Sequence, residues 1–436
     1  MQPSAATAAI RFGLGRTPGQ DPGSDPARWL QQQLQRPDPG PPGVSVTEAF
    51  TAQLMDREAR KEQKTAGPDA ARQPGQSRQI FRDETKALLD HTVATTTPFR
   101  ERLVWFWANH FTVSIRQGQV APLAGPYVRE AIRPYVTGRF ADMLLAVMRH
   151  PAMLIYLDNA QSAGPASVLG ARQKRGLNEN LARECLELHT CSPAAGYSQA
   201  DVTQFARVLT GWSIERQQNP LGFRFRPGLH DPGEKTVMGR RFPEGEEGGL
   251  MALAWLADHP ATHRHLATKL VRHFVADQPP ADAVRRIEAV LRDTRGNLGA
   301  AAMELTRLPA AWQPLAKVRS PQDYIVAAVR AAALPSDRKP DLQGLIGGLG
   351  QPVFNAPFPI GWPDTAPDWA GPEALMRRVD WAYGFANRPE LPEPMQLAEA
   401  ALGPLLTEAT ATEIRRAGSR RDATTLLLAS PEFNRR

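Results

Sequence analysis

The sequence predicts a mainly α fold, a large single multi-helical domain with a small β-hairpin-like insert. Apolar residues recur with the 3.6-residue period of amphipathic helices along most of the 436 residues. Helix-start signals accompany this period, with capping residues at Thr97, Ser198 and Ser320. The helical period stops around 222–242, where residues alternate as they do in short strands. Together these three observations predict the class.

The first half of the chain divides into predicted helices separated by breaks. The segment 64–77 is polar and rich in Gly, Pro and Gln, which predicts a mobile loop. Beyond it, Thr97-Pro98 has the residue types of an N-cap and a first helical position. The helices predicted in this half lie at 4–12, 25–36, 46–63, from Pro98 onward, and at 121–134, 138–149, 151–157, 178–189 and 199–208.

The second half opens with the β insert. Phe223 to Arg226 alternates apolar and polar residues, and a polar tip at 229–235 separates it from a second β-prone run. Because no fixed-period repeat and no convincing linker divides the chain, residues 1–436 are predicted to form one domain. A Pro/Trp-rich loop at 351–372 contains Trp362. The helices predicted in this half lie at 248–258, 261–276, 281–294, 297–308 and 321–333, with a C-terminal group ending at 430–433.

Composition excludes several classes of protein. The hydrophobic fraction of 42% and the mean hydropathy of −0.39 are typical of a soluble globular protein. No apolar run reaches the roughly 18 residues that a membrane-spanning helix needs, and residues 1–10 lack the basic start of a secretory signal. The sequence therefore predicts a cytoplasmic protein without a transmembrane segment, with export alongside a partner as the alternative.

The net charge is +7, but the distribution of charge argues against a nucleic-acid partner. The chain is arginine-rich, with 44 Arg and 8 Lys spread among 45 acidic residues, as a GC-rich bacterial genome produces. No basic block is interleaved with aromatic residues. Cys185 and Cys191 would lie too far apart on one helix for a disulfide, which fits a reducing compartment or packing roles.

The most informative segment is 178–189. His189 turns toward the apolar face of the predicted helix, and an amide-rich start at 178–180 beside an arginine favours burial of the polar face. A solvated polar face is the other interpretation. The residues that share the polar face are Asn180, Arg183, Glu184 and Glu187.

A second polar segment, the turn at 230–235, contains His230, Asp231 and Lys235. A loop tip on a rigid scaffold often carries function, although Asp, Pro and Gly also build ordinary turns. The glycine motifs lack the spacing of phosphate-binding and dinucleotide-binding loops, and neither H-E-x-x-H nor G-x-S-x-G occurs. His265 and His273, eight apart on one predicted helix, are assigned surface or packing roles.

Several further motifs accompany these segments. They are Asn178 to Thr190, Tyr197 with Asp201-Val202, Thr210 to Trp212, His230 to Gly239 and Gly361 to Pro363, in this order, with Asn109 to Phe111 and Ala152 to Asn159 as flanking signatures. Their order resembles a bacterial family called domain of unknown function 1800, and the resemblance covers nearly the whole chain. It implies an uncharacterised protein whose relatives are in some cases exported and are often encoded beside a protein of the alkaline-phosphatase/sulfatase class. The family brings no established catalytic residues, and the two cysteines stand where aliphatic residues are expected, so a cysteine mechanism gains no support.

These observations lead to two alternative hypotheses for the function of the protein. In the first, the protein is a non-catalytic accessory or assembly partner of the phosphatase/sulfatase-like neighbour, and its polar motifs form a buried network. In the alternative, it is a metal-dependent or acid/base hydrolase. The network or substrate-binding residues are Asn178, Asn180, Arg183, Asn159 and Trp362. The catalytic candidates are Glu184, Glu187, His230, Asp231 and Lys235, with Asp158 or His110 as further members.

The hydrolase alternative makes a geometric prediction. The turn at 230–235 folds back onto the helix at 178–189, so that Glu184 and Glu187 face His230 and Lys235. Carboxylate and imidazole groups so arranged could bind a divalent metal or act as an acid/base pair. The identity of the metal, and whether the protein is an enzyme, stay open at this point.

Overall fold

A computed structural model describes residues 4–66, 75–173 and 176–436. Within it, 62% of the chain is helical and 4% is strand, so the predicted mainly α class with a small β insert is confirmed. None of the helices in these ranges has both the length and the apolar character required to cross a bilayer. The assignment of the chain to one domain stays a prediction.

The first half of the described chain is a succession of helices. Helices α1 to α11 span Ala5–Thr7, Pro26–Gln35, Val46–Ala66, Gln76–Ala94, Pro98–His110, Ala124–Tyr127, Phe140–Arg149, Pro151–Tyr156, Val168–Gln173, Asn180–Glu184 and Gln199–Val208. Ser198 caps α11 in a complete capping box with Asp201, as the sequence predicts. Thr97 is the N-cap of α5, but its hydroxyl donates to Asp38 instead of accepting a helix N–H.

Three features of this half differ from the predicted elements. Helices α4 and α9 have no predicted counterpart. The predicted loop 64–77 is shorter, because α3 extends to Ala66 and α4 begins at Gln76, and residues 67–74 lie outside the described residues. The helices predicted at 4–12, 121–134 and 178–189 each change from α to π geometry, at Ala8–Phe12, Val128–Ile132 and Cys185–His189.

The β insert consists of two antiparallel hairpins. Strand β1 (Trp212–Glu215) pairs with β2 (Gly222–Phe225), and β3 (Lys235–Val237) pairs with β4 (Arg240–Phe242). The insert therefore begins ten residues before the predicted boundary at 222. Gly211 causes the early start, since its φ of 83° turns the chain out of α11 and a Cβ there would lie 2.9 Å from the Arg226 carbonyl oxygen.

Helices resume after the insert. Helices α12 to α22 span Glu246–Ala257, Pro260–Phe274, Ala281–Asp293, Leu298–Leu305, Pro321–Ala332, Leu342–Gly348, Ala366–Trp369, Pro372–Phe385, Pro394–Ala401, Glu408–Arg416 and Arg420–Ala429. Pro260 and Pro321 occupy first turns, and Ser320 accepts from the Asp323 backbone N–H as a cap.

The apolar interior forms two clusters of buried residues. The first is built by segments between Ala8 and Trp312, and the second by segments between Tyr324 and Phe433. Helix α4 joins them, because Leu88 packs in the first cluster and Leu89 in the second. The boundary between these clusters is where polar side chains meet inside the molecule.

Candidate functional site

A cavity of about 460 Å³ lies between the two clusters. This volume falls in the range of small-molecule sites. Its walls come from α5 and α13 on the side of the first cluster, and from α16 and the segment 351–365 on the side of the second. The cavity therefore forms where distant parts of the chain meet.

Helix α13 supplies a polar stripe to the cavity. His265, Lys269 and His273 are spaced four residues apart, so they stack on one helical face, and Arg272 lies beside them. Lys269 and Arg272 are both half-buried, and within the described residues neither side chain makes a hydrogen bond or an ion pair. Burial lowers the pKa of Lys269 to about 8, although the nearby Asp364 opposes the shift.

The carboxylate of Asp323, on the facing helix α16, is fully paired. Its two oxygens lie 2.9 Å from the Arg102 guanidinium and 2.9 Å from that of Arg436. Burial alone would raise the pKa of this carboxyl group, but the two guanidinium groups hold it well below its ordinary value. The negative charge of Asp323 is therefore compensated by these two arginines and not by Lys269.

Asp364, on the loop before α18, is also paired. It lies 2.7 Å from His273 Nδ1 and 3.0 Å from Arg436 Nη2. These neighbours and Lys317 lower its pKa to about 2, against the effect of burial. Both inner carboxylates are paired with other cations, and Asp368, a third carboxylate of the wall, is exposed and accepts from the Thr365 hydroxyl. The two charges of Lys269 and Arg272 therefore exceed the remaining negative charge of the wall by one.

The histidines of the wall are neutral at pH 7. Burial lowers the pKa of His265 to about 4 and that of His110 well below its ordinary value. His265 Nε2 lies 3.0 Å from the Leu188 carbonyl oxygen, and His110 Nε2 lies 3.2 Å from that of His189. Because a carbonyl oxygen only accepts, each Nε2 carries the proton and each Nδ1 is left as an acceptor.

Aromatic side chains form much of the remaining wall, and one loop closes against α5. Asn109 donates to the Trp362 carbonyl oxygen at 2.9 Å and accepts from the Trp362 N–H at 2.8 Å. Gly361 permits this approach, since its φ is 83° and a Cβ would lie 2.5 Å from the Asn109 carbonyl oxygen. The aromatic residues of the wall are Trp105, Phe106, Phe354 and Trp362.

The turn at 230–235 forms a closed structural network. His230 Nδ1 lies 2.8 Å from the Thr210 carbonyl oxygen, and His230 Nε2 accepts from the Gly245 N–H at 2.9 Å. The Lys235 ammonium donates to the Asp231 carbonyl oxygen and lies 3.2 Å from His230 Nε2. His230, Asp231 and Lys235 are therefore brought together as predicted, with most of their polar atoms already bonded.

Burial was predicted for the polar face of the 178–189 segment, but the structure leaves this face partly exposed. Arg183 bonds Glu179 at 3.0 Å, but their side chains are 38% and 28% exposed, and Asn180 is exposed. Glu184 and Glu187 are half-buried and make no hydrogen bond within the described residues. The predicted network thus exists at the surface, where α10 packs against α11.

Burial and the charge of Glu187 raise the pKa of Glu184. In the described part of the chain, neither glutamate bonds His230, Asp231 or Lys235. Helix α11 contacts α10 and also contacts β3, which begins at Lys235. The catalytic role predicted for these five residues stays a prediction.

A metal site is not preformed at the predicted residues. Among the described residues, one group of potential ligands lies close enough together to hold an ion, and it is Asp38, His91 and Glu101. Arg133 already pairs with Glu101 at 2.6 Å in this group. A guanidinium at that distance supplies the positive charge that a cation would bring.

The other predicted residues have separate positions. Trp362 and His110 line the cavity. Asn159 is buried and donates to the backbone carbonyls of Leu209 and Trp212, as a network residue would. Asn178 accepts from the Asn180 N–H, and Asp158 accepts from Gln117 away from the cavity.

Sequence reasoning missed the principal residues of the cavity. The four-residue spacing of His265, Lys269 and His273 was a usable signal, because titratable groups repeated on the inner face of a helix are costly unless they face a cavity or a partner. The pairing of Asp323 with Arg102 had no local signal.

Comparisons with known proteins agree with the resemblance found in the sequence. A family model described as "Protein of unknown function (DUF1800)" matches residues 7–435. Neither the comparison with curated proteins nor the comparison with solved structures finds a match.

Proposed function

We propose that this chain, which belongs to the DUF1800 family, binds a small organic anion in the cavity between its two apolar clusters. One observation supports this above all. Lys269 and Arg272 line the cavity without an ion pair, while arginines pair with the inner carboxylates of Asp323 and Asp364. A half-buried cation without a partner is costly, and a bound carboxylate or phosphate would offset the cost.

The walls restrict the rest of the ligand. The aromatic residues and Val326 and Val353 face the same space as the two cations. A ligand with a single anionic group and an aromatic or branched apolar body would satisfy both parts of the wall. Arg272 presents a planar fork that suits a carboxylate, and Lys269 presents a point charge.

Calorimetric titration of the purified full chain tests the proposal. Phenylacetate is the probe, with benzyl alcohol and benzylamine as its neutral and cationic analogues. We expect phenylacetate to bind in preference to both analogues, and Arg272→Met to weaken binding by at least about tenfold. Arg264→Met is the matched control, because Arg264 is exposed on the same helix and pairs with Glu288. Equal binding of benzyl alcohol would contradict the proposal.

Lys269→Met has a distinctive signature. Because it removes an unpaired, partly desolvated charge and keeps most of the aliphatic stem, the unliganded variant should melt at the same or a higher temperature. Phenylacetate, at 100 times the Kd for the unaltered protein, should stabilise that protein by about 2.7 kcal/mol and the variant far less. Lys317→Met is the contrasting variant. Because Lys317 is paired with Asp277, its replacement should destabilise the protein. A lower melting temperature for Lys269→Met would mean that Lys269 has a structural partner.

A role as accessory partner of a phosphatase/sulfatase-like protein is the second candidate. A group of exposed apolar side chains supports this candidate. They lie on α19 and α22, two helices that pack against each other. Met376 is 58% exposed, Tyr383 45% and Leu426 41%. Co-purification with the neighbouring protein, lost in Met376→Glu and kept in the surface variant Arg264→Met, would support this candidate. The hydrolase alternative requires contacts between Glu187 and His230 that the described residues do not make.

A further inference from the structure

We propose that Lys269 is a nucleophilic amine that forms an imine with a carbonyl-bearing ligand, which narrows the ligand class to small 2-oxo acids and related keto or aldehyde carboxylates. This inference rests on the proposed anion site. It assigns the lysine a chemical role in addition to its charge.

The position of Lys269 is the first argument. It is the lysine that lines the cavity in the described part of the chain, and it makes no hydrogen bond or ion pair there. An amine that is tied to a carboxylate stays protonated and cannot attack, whereas an untied amine in a partly apolar wall is free to lose its proton. Burial, which lowers its pKa to about 8, acts in the same direction.

The neighbours of Lys269 on α13 supply the second argument. Arg272 is three residues further along the helix, so its side chain lies beside that of Lys269. In a 2-oxo acid the carboxylate and the carbonyl carbon are adjacent. Arg272 can therefore hold the carboxylate while the lysine nitrogen meets the carbonyl carbon, a pairing that places the reacting atoms.

His265, one turn before Lys269, supplies the third argument. Its Nε2 carries the proton bonded to the Leu188 carbonyl, which leaves Nδ1 as a base. The His265 ring lines the same cavity as Lys269. It can carry a proton between the lysine nitrogen and the ligand oxygen.

The step balances without an oxidant or a further reagent. The neutral amine adds to the carbonyl carbon, and the nitrogen loses a proton while the oxygen gains one, which forms a carbinolamine. The carbon–oxygen bond then breaks, the oxygen leaves as water with a second proton from the nitrogen, and a carbon–nitrogen double bond forms. The products are one imine and one water molecule.

Reductive trapping tests the inference on the full chain. The protein is incubated with phenylpyruvate and sodium cyanoborohydride, and intact-mass measurement and peptide mapping follow. We expect one reduced imine adduct, located on Lys269, with a rate that rises with pH through the region of pH 8. Phenylacetate, which has the same charge but no ketone, should form no adduct and should protect Lys269 in competition.

Variants separate a specific reaction from general lysine labelling. Lys269→Arg should abolish the single adduct, and an unchanged circular-dichroism spectrum and melting temperature would show that the variant is folded. Arg272→Met should slow labelling by at least about tenfold. Lys86, which is 74% exposed and paired with Asp90, is the internal control and should remain unlabelled under the same conditions.

Two failures have different meanings. If phenylacetate binds and Lys269 gains no adduct, or if the adduct is spread over surface lysines such as Lys86, the imine inference is overturned and the anion site stands. If neither phenylacetate nor phenylpyruvate binds, the proposed function fails and the inference fails with it.

Discussion

Replacing Asp323 by asparagine tests whether the charge arrangement around the cavity stabilises the fold. The carboxylate lies 2.9 Å from each of two guanidinium groups, those of Arg102 and Arg436, whose side chains are 4% and 2% exposed. Asparagine has nearly the same shape and keeps the backbone N–H that Ser320 caps. The substitution therefore removes one negative charge, leaves buried Arg102 without an ion pair in the described part of the chain, and leaves Arg436 paired with Asp364 alone. Loss of one partner of a buried pair costs about 3–5 kcal/mol, and we expect a decrease in unfolding free energy of that size.

Urea unfolding at pH 7 measures the effect. Asp293→Asn is the matched control, because Asp293 is 63% exposed and, within the described residues, pairs only with the adjacent Arg292, so its loss should change stability by less than about 0.5 kcal/mol. The difference between Asp323→Asn and the unaltered protein should shrink below about pH 4. There the unfolded chain binds the proton that the folded state, with its lowered Asp323 pKa, does not. A loss below about 1 kcal/mol for Asp323→Asn would refute the reasoning, since the pair would then be solvated.

Three further predictions concern other titratable groups. Burial lowers the pKa of His265 and His273 to about 4, so the unfolded chain binds their protons before the folded chain does as the pH falls. The unfolding free energy should therefore decrease by roughly 3 kcal/mol per histidine from about pH 6.5 to pH 4. Equal unfolding free energies at both ends of that range would contradict this prediction. His230→Ala should lower the unfolding free energy by about 1–3 kcal/mol, because it leaves the Gly245 N–H unpaired. The effects of His230→Ala and Glu187→Ala should be additive within about 0.5 kcal/mol. A larger coupling in thermal melts would mean that the two segments share a site. Glu184→Gln should leave stability unchanged or slightly increased at pH 7, because burial and Glu187 raise the Glu184 pKa in the folded state, so its charged form is disfavoured there; a marked loss would reveal a partner.

The sequence by itself determined the features that depend on neighbours along the chain. The helical class follows from a 3.6-residue period, and Ser198 and Ser320 act as caps because a cap bonds residues two or three positions away. The wider family was also readable, since its motif order is a property of the linear chain. The proximity of His230 and Lys235 is local in the same sense, because they are five residues apart.

Only the tertiary structure decided which charges meet and which remain free. Arg102, Asp323 and Arg436 come from three distant segments, and their ion pairs arise because α5 and α16 face each other across the boundary of the two apolar clusters. Burial of the 178–189 polar face was predicted from its composition, yet helix packing leaves Asn180 exposed, because the identity of the covering element is not encoded within the helix. These same contacts leave Lys269 without an ion pair. Its lowered pKa likewise depends on the side chains that distant segments place around the cavity.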